Sequence, residues 1–240
     1  MLVKALILFY QLMLSSSMKR LICVRHSITE CNEALARRPW GTPGFSDPLL
    51  WDTVLSERGI ALAKDVHRGL RDRKGGTDLT DVQLVLTSPL WRALQTSELV
   101  FAGGSLLPSS ARKMAHPLLR ERLYLSSDVG KPRAELEAAF PAWDFGLLPE
   151  DGPWWYTDNP SQKSKEWRPS GSYACPGEPK AVFDSRVAEL REWILAREET
   201  TIVLVAHWGL LRGLFGVDAA NCEIIERRCG EMLAVPAGDC

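Results

Sequence analysis

The chain has 240 residues, 45% hydrophobic and 25% charged, an ordinary balance for a water-soluble globular protein with enough apolar residues for a full core. Its 29 basic and 30 acidic residues leave a net charge of −1, which argues against a nucleic-acid or anionic-membrane partner and makes any anion site a local one. The cysteines at 23, 31, 175, 222, 229 and 240 form no C-x-x-C pair and have no histidine at ligand spacing, so neither zinc nor a disulfide scaffold is indicated and the thiols read as mostly reduced.

Residues 1–17 hold an apolar run broken only by Gln11 and followed by serines. This is too short to span a bilayer as a helix and has the outline of a signal peptide. The competing reading is an extension upstream of an internal start at Met18. The expected location is cytoplasmic, with a signal peptide left open, and no membrane span is expected. Residues 21–24 form an apolar run that stops at Arg25-His26, with Ser27, Thr29 and Asn32 following. Such a run suits a buried strand, and ligands in open α/β sheets collect beyond the carboxyl ends of strands. Taken alone, an Arg-His pair more often only solvates a loop.

Residues 37–44 are rich in turn formers and predict a surface loop. Ser56 can cap a helix carrying Ile60, Leu62, Ala63, Val66 and Leu70 at helical spacing. A second buried strand is predicted over 82–86. Ser88 and Pro89 then suit the cap and first turn of a helix with Arg92 close to the strand end. A short apolar segment at 115–119 leads into Arg120-Glu121-Arg122. Residues 125–179 read as irregular, rich in proline and carrying Trp143, Trp154, Trp155 and Trp167, as in a lid or packed cover inserted into a single domain over 18–240. Helical periodicity returns over 181–197 through Val182, Val187, Leu190 and Ile194. It feeds a third strand at 201–206 that runs into His207, and residues 222–225 and 232–235 read as a terminal hairpin or edge strands.

Three apolar strands are thus each followed by a group suited to phosphate: Arg25-His26, Arg92 and His207. If the strands lie parallel with helical crossovers, their carboxyl ends share one edge and these side chains meet in one pocket.

These residues resemble the histidine phosphatase superfamily, branch 1, the phosphoglycerate mutase-like family. Arg25-His26 with Thr29 and Asn32 is similar to its Arg-His-Gly signature, and Ser27 stands where the glycine usually does. Leu55-Ser56-Glu57-Arg58-Gly59, then Thr87-Ser88-Pro89 with Arg92, and Ala206-His207 resemble its later stations in order, over about 21–217. The resemblance implies an α/β fold, a three-layer α/β/α sandwich with a mostly parallel sheet flanked by helices. It implies His26 as nucleophile, Arg25 and Arg92 as phosphate ligands and His207 as a donor to the same oxygens. Glu121 is implied as general acid, with Glu57 and Glu30 as competitors. Thr29 and Asn32 are either further phosphate donors or loop caps. No metal and no cofactor is implied.

The function expected is hydrolysis of a small phosphorylated metabolite through a phosphohistidine. A phosphoglycerate mutase-type transferase is the alternative, disfavoured because 146–177 lacks the paired arginines of cofactor-dependent mutases. A non-catalytic phospho-ligand binder is a third reading, disfavoured because Arg25, His26, Arg92 and His207 are all retained.

Overall fold

The computed structural model describes residues 18–72, 76–103, 106–157 and 177–233. Its framework is one sheet of five strands, β1 (Arg20–Arg25), β2 (Leu84–Thr87), β3 (Arg112–Ala115), β4 (Thr201–Ala206) and β5 (Ile224–Arg228), in the spatial order β3-β2-β4-β1-β5. The first four are mutually parallel where they pair, and β5 closes the edge antiparallel to β1.

The side chains of the central strands alternate between two cores, because successive residues of a strand point to opposite faces. Ile22, Val24, Val85, Val203 and Val205 face one core, shared with helices α2 (Glu57–Arg71) and α3 (Trp91–Val100) through Ala63, Leu70, Ala93, Leu94 and Val100. Leu21, Cys23, Leu84, Leu86, Ile202 and Leu204 face the other, shared with α5 (Lys180–Leu195) and α6 (Trp208–Phe215) through Val187, Leu190, Ile194, Leu210 and Leu214. The protein is therefore a three-layer α/β/α sandwich with a mostly parallel sheet. Among the described residues, the remaining α-helices are α1 (Glu30–Arg37) and α4 (Arg133–Ala139).

The register fixes where the chemistry lies. Arg25 pairs with Ala206 and Thr87 with Val205, so β1, β2 and β4 end at the same level. Residues 26, 88 and 207 leave the sheet side by side.

Several local expectations differ from the fold. The α3 helix begins at Trp91, and Ser88 Oγ accepts from Leu90 N without capping it. Its first turn is capped from a distance by Asp52, whose Oδ1 accepts from Trp91 N at 2.8 Å. Val182 is exposed, and the buried face of α5 is carried by Phe183, Arg186, Val187, Leu190 and Ile194. Within the stretch read as irregular, α4 is helical and Trp143, Trp154 and Trp155 are buried in the core. Trp167 lies outside the described residues, as do residues 1–17 and the cysteines at 175 and 240. Of the C-terminal elements, β5 is an edge strand, while Met232 follows a 3-10 turn at Cys229–Glu231. Among the described residues, no helix is long and apolar enough to cross a membrane. Cys23, Cys31, Cys222 and Cys229 are free thiols.

Candidate active site

A cavity of about 700 Å³ opens at the carboxyl edge of the sheet, and Arg25, His26, Thr29, Asn32, Arg92 and Glu121 all line it. His207 lies directly behind this wall, its ring centroid 5.0 Å from that of His26. The three strand ends do converge, because parallel pairing at equal register leaves them nowhere else to go.

His26 is 5% exposed and its Nδ1 lies 2.8 Å from the carbonyl oxygen of Ser27. A carbonyl can only accept, so Nδ1 carries the proton and the lone pair of the neutral ring sits on Nε2. Burial, then the guanidinium groups of Arg92 and Arg25, hold the His26 pKa well below the usual imidazole value. The backbone of His26 is fixed too, with its N–H donating to Ala206 O and its carbonyl accepting from Asn221 Nδ2. This is an uncharged, oriented imidazole next to fixed positive charge, which is what attack on a phosphorus atom requires.

His207 is fully buried and neither ring nitrogen has a hydrogen-bond partner among the described residues. Burial and the neighbouring Arg92 keep it neutral as well. A buried unpaired imidazole is costly, and an anionic oxygen arriving beside His26 would relieve it.

The two arginines are held by different means. Arg25 donates from Nη1 to Ala219 O at 2.8 Å. Arg92, 3% exposed, is gripped by a 3-10 turn at Ser126–Asp128, donating from Nη1 to Ser127 O at 2.5 Å and from Nη2 to Asp128 Oδ1 at 2.9 Å. Asp128 is itself anchored by accepting from Tyr124 N and Leu125 N, and Ser126 by Asp47. Asp128 is a functional neighbour the sequence reading missed, since nothing local connects it to Arg92 thirty-six residues earlier.

Glu121 accepts from Arg122 N through Oε1 (2.8 Å) and from Gly209 N through Oε2 (3.0 Å). Its enclosed position and the nearby Asp128 carboxylate push its pKa up, against the opposing effect of those two N–H donors and Arg92. The carboxyl therefore holds its proton to higher pH than an ordinary glutamate. A buried ionic cluster supports it from below: Arg186 donates to both oxygens of Glu178 and to the carbonyls of Leu118, Arg120 and Glu121, and Arg120 donates to Glu178 Oε1. Glu30 and Glu57 head the first turns of α1 and α2 and do not line the cavity.

Thr29 and Asn32 cap α1 reciprocally, Thr29 Oγ1 accepting from Asn32 N and Asn32 Oδ1 from Thr29 N. Both face the cavity as they do so. Of the other histidines, His67 contacts Val100 O and His116 caps the turn at Pro117–Leu119.

Residues 21–217 match the family described as histidine phosphatase superfamily (branch 1). The chain belongs to that superfamily. It is similar to a phosphoglycerate mutase-like protein of Arabidopsis thaliana, 28% identical over 168 residues, 60% of this chain and 56% of that protein, so it spans a little over half the relative's length. Among solved structures it is similar to the alpha-ribazole phosphatase of Shigella flexneri (25% identity, 81% of this chain and 77% of that one, TM-score 0.43). It is also similar to a mycobacterial glucosyl-3-phosphoglycerate phosphatase (22%, 87% and 92%, 0.46) and to the phosphoglycerate mutase of Thermus thermophilus (20%, 85% and 86%, 0.41).

Within this member of the superfamily, Ser27 at the usual glycine position proves compatible with the loop. Its φ is not positive, and its hydroxyl donates to Gly59 O at 2.8 Å while its N–H donates to Thr96 Oγ1. Gly59 is required on the other side of that contact, because a Cβ there would come within 1.8 Å of Ile28 O.

Proposed function

We propose that the protein is a phosphomonoester hydrolase that works through a phosphohistidine. One observation carries the reading: His26 and His207, rings 5.0 Å apart, are both kept neutral beside two guanidinium groups, and the buried His207 nitrogens lack any partner among the described residues. Such a pocket is incomplete without an oxyanion.

The chemistry then follows from the atoms. Arg25 and Arg92 take the non-bridging oxygens of the phosphoryl group, and His207 donates to one of them. The Nε2 lone pair of His26 forms the N–P bond as the P–O ester bond breaks, and the departing oxygen takes its proton from Glu121. Nδ1 keeps its hydrogen on Ser27 O and spreads the charge that develops on the ring. Water then forms the new P–O bond, gives its proton to the Glu121 carboxylate, and the N–P bond breaks with its electron pair returning to Nε2. Catalysis here is mainly positioning and charge stabilisation, as expected for phosphoryl transfer.

A mutase shares the first half of this scheme and returns the phosphoryl group to a second alcohol. The name of the Arabidopsis relative favours it. The two are separated by assaying 3-phosphoglycerate with and without 2,3-bisphosphoglycerate, beside a simple phosphomonoester. Phosphate release faster than isomerisation is expected, and the reverse order would replace hydrolase by mutase.

A further inference from the structure

Trp208 is a large apolar side chain left 41% exposed on the cavity wall. It is held rigidly there. Its Nε1 donates to Asp218 Oδ1 at 3.0 Å, the Arg212 guanidinium lies 5.3 Å from its ring centroid, and Arg212 donates to the same Asp218 oxygen at 2.6 Å. An indole fixed in one orientation loses little further freedom when a ligand stacks on it, which is how a preorganised aromatic contact gains affinity.

Its position relative to the acid decides what it would touch. Trp208 lies between His207 and Gly209, and Gly209 N holds Glu121 Oε2. A Cβ at Gly209 would come within 2.5 Å of Glu121 Oε1, so the carboxyl packs directly on this backbone. The alcohol that takes its proton from Glu121 is thus released beside the backbone of Gly209, next in sequence to a Trp208 that lines the same cavity. The Arg122 guanidinium is 4.8 Å from the Tyr124 ring and 5.9 Å from the Phe183 ring, and all three also line the wall.

Size and charge narrow the occupant. A phosphoryl group fills roughly the space of two or three waters at ~30 Å³ each, a small share of about 700 Å³. Beyond the phosphate arginines, three cations among the described residues lie along the lining: Lys180 and Arg212 are paired with Asp184 and Asp218, while Arg122 donates from Nε to Glu178 O and lies over the Tyr124 ring. The space beyond the phosphate thus offers rings and a guanidinium already stacked on one of them.

We infer that the cavity takes a phosphomonoester whose alcohol carries a planar aromatic ring, and that Trp208 is the specificity-determining residue on which that ring stacks. The inference rests on Glu121 and His26 acting as described above, and the test separates the two.

The experiment compares 3-phenylpropyl phosphate with n-propyl phosphate, whose leaving alcohols have nearly the same basicity, so that intrinsic reactivity cancels. The expected ratio of kcat/KM is about tenfold or more in favour of the phenyl ester, the scale of an aromatic contact plus the area it buries. In Trp208→Ala the ratio falls most of the way to one, and in Trp208→Phe most of it survives. Calorimetric binding of both esters is measured in parallel. If neither ester releases phosphate, the hydrolase reading fails, and the inference about the subsite still stands or falls on the binding ratio. Equal preference for the two esters in the unmodified protein, or a ratio untouched by Trp208→Ala, overturns it.

Discussion

The two halves of the cavity are built in opposite ways. The half proposed to take the phosphate consists of Arg25, His26 and His207, each attached directly to the end of a central strand, with Arg92 one helical turn on. The half proposed to serve the leaving group is assembled from distant pieces: Glu121 on a loop, the Arg120–Glu178–Arg186 cluster beneath it, and Trp208 fixed by Asp218. The first half inherits its precision from sheet register. The second depends on buried polar contacts that must form between segments far apart in sequence, and so it is the half in which substrate preference can vary without loss of the sheet.

The largest effect expected is on the phosphate half. His26→Ala should lower phosphate release by about 10⁴-fold or more, the scale seen when a covalent nucleophile is removed. Its circular dichroism should change little, because the backbone bonds of residue 26, its N–H to Ala206 O and its carbonyl from Asn221 Nδ2, are kept. Substantial residual turnover, or a labelled covalent intermediate that persists in the variant, would exclude His26 as nucleophile.

Glu121→Gln probes the other half. A general acid contributes about 10²- to 10⁴-fold, so kcat for alkyl phosphates should fall by about 10²- to 10³-fold. For 4-nitrophenyl phosphate the loss in kcat/KM, which reports the first transfer and not the water step that also uses Glu121, should be much smaller, since nitrophenolate leaves without a proton. The pH dependence carries the sign: the protonated carboxyl is the active form, and its pKa is raised by enclosure and by Asp128. Activity on alkyl esters should decline as pH rises through that value, and the variant should lose this limb of the profile. An unchanged limb would assign the acid to another group.

These contrasts also explain what could be read from the chain alone. Arg25, His26, Arg92 and His207 were legible because each follows a strand-forming apolar run, and strand ends of a parallel sheet converge by geometry. The helix capped by Ser56 was legible for a similarly local reason, its Oγ accepting from Gly59 N three residues on. The strand β3 was not, since Arg112–Ala115 offers only two apolar residues and owes its pairing to the neighbouring β2. Nor were Asp52 as the cap of α3 or Asp128 as the clamp on Arg92, because a carboxylate that meets its partner across 36 to 39 residues leaves no periodic trace. The reading of 125–179 as irregular missed α4 because that helix is short and its burial rests on Leu136 alone.

The support beneath Glu121 should show itself in stability more than in chemistry. Arg186→Met removes one partner of a Glu178 carboxylate that is fully buried, with the Arg120 contact remaining. Breaking a buried ion pair from one side costs about 3–5 kcal/mol, and the remaining Arg120 contact favours the lower end, about 3 kcal/mol. Urea unfolding would measure it. A companion fall in kcat for alkyl phosphates is expected, because Arg186 also holds the carbonyl of Glu121. If stability drops while the ratio of alkyl to nitrophenyl turnover stays fixed, the cluster supports the fold and not the acid.

The smallest effect is the most informative about how the phosphate half tolerates a change in its own signature. Ser27→Gly restores the residue usual at that position. It removes the donor to Gly59 O and a contact with the thiol of Cys222, whose φ of +62° marks a tight turn packed against the same loop. A buried hydrogen bond is worth about 0.5–1.5 kcal/mol, and glycine adds about 0.5–1 kcal/mol of backbone entropy lost on folding. The variant should therefore be about 1–2.5 kcal/mol less stable, with kcat/KM nearly unchanged, because the bond that orients His26 uses the carbonyl of residue 27 and not its side chain. Paired urea titrations and phosphate-release assays on the two proteins would check this. A gain in activity without loss of stability would mean that Ser27 strains the loop it occupies; the expected result makes it a brace that has taken over part of the work of holding the nucleophile's loop against α2.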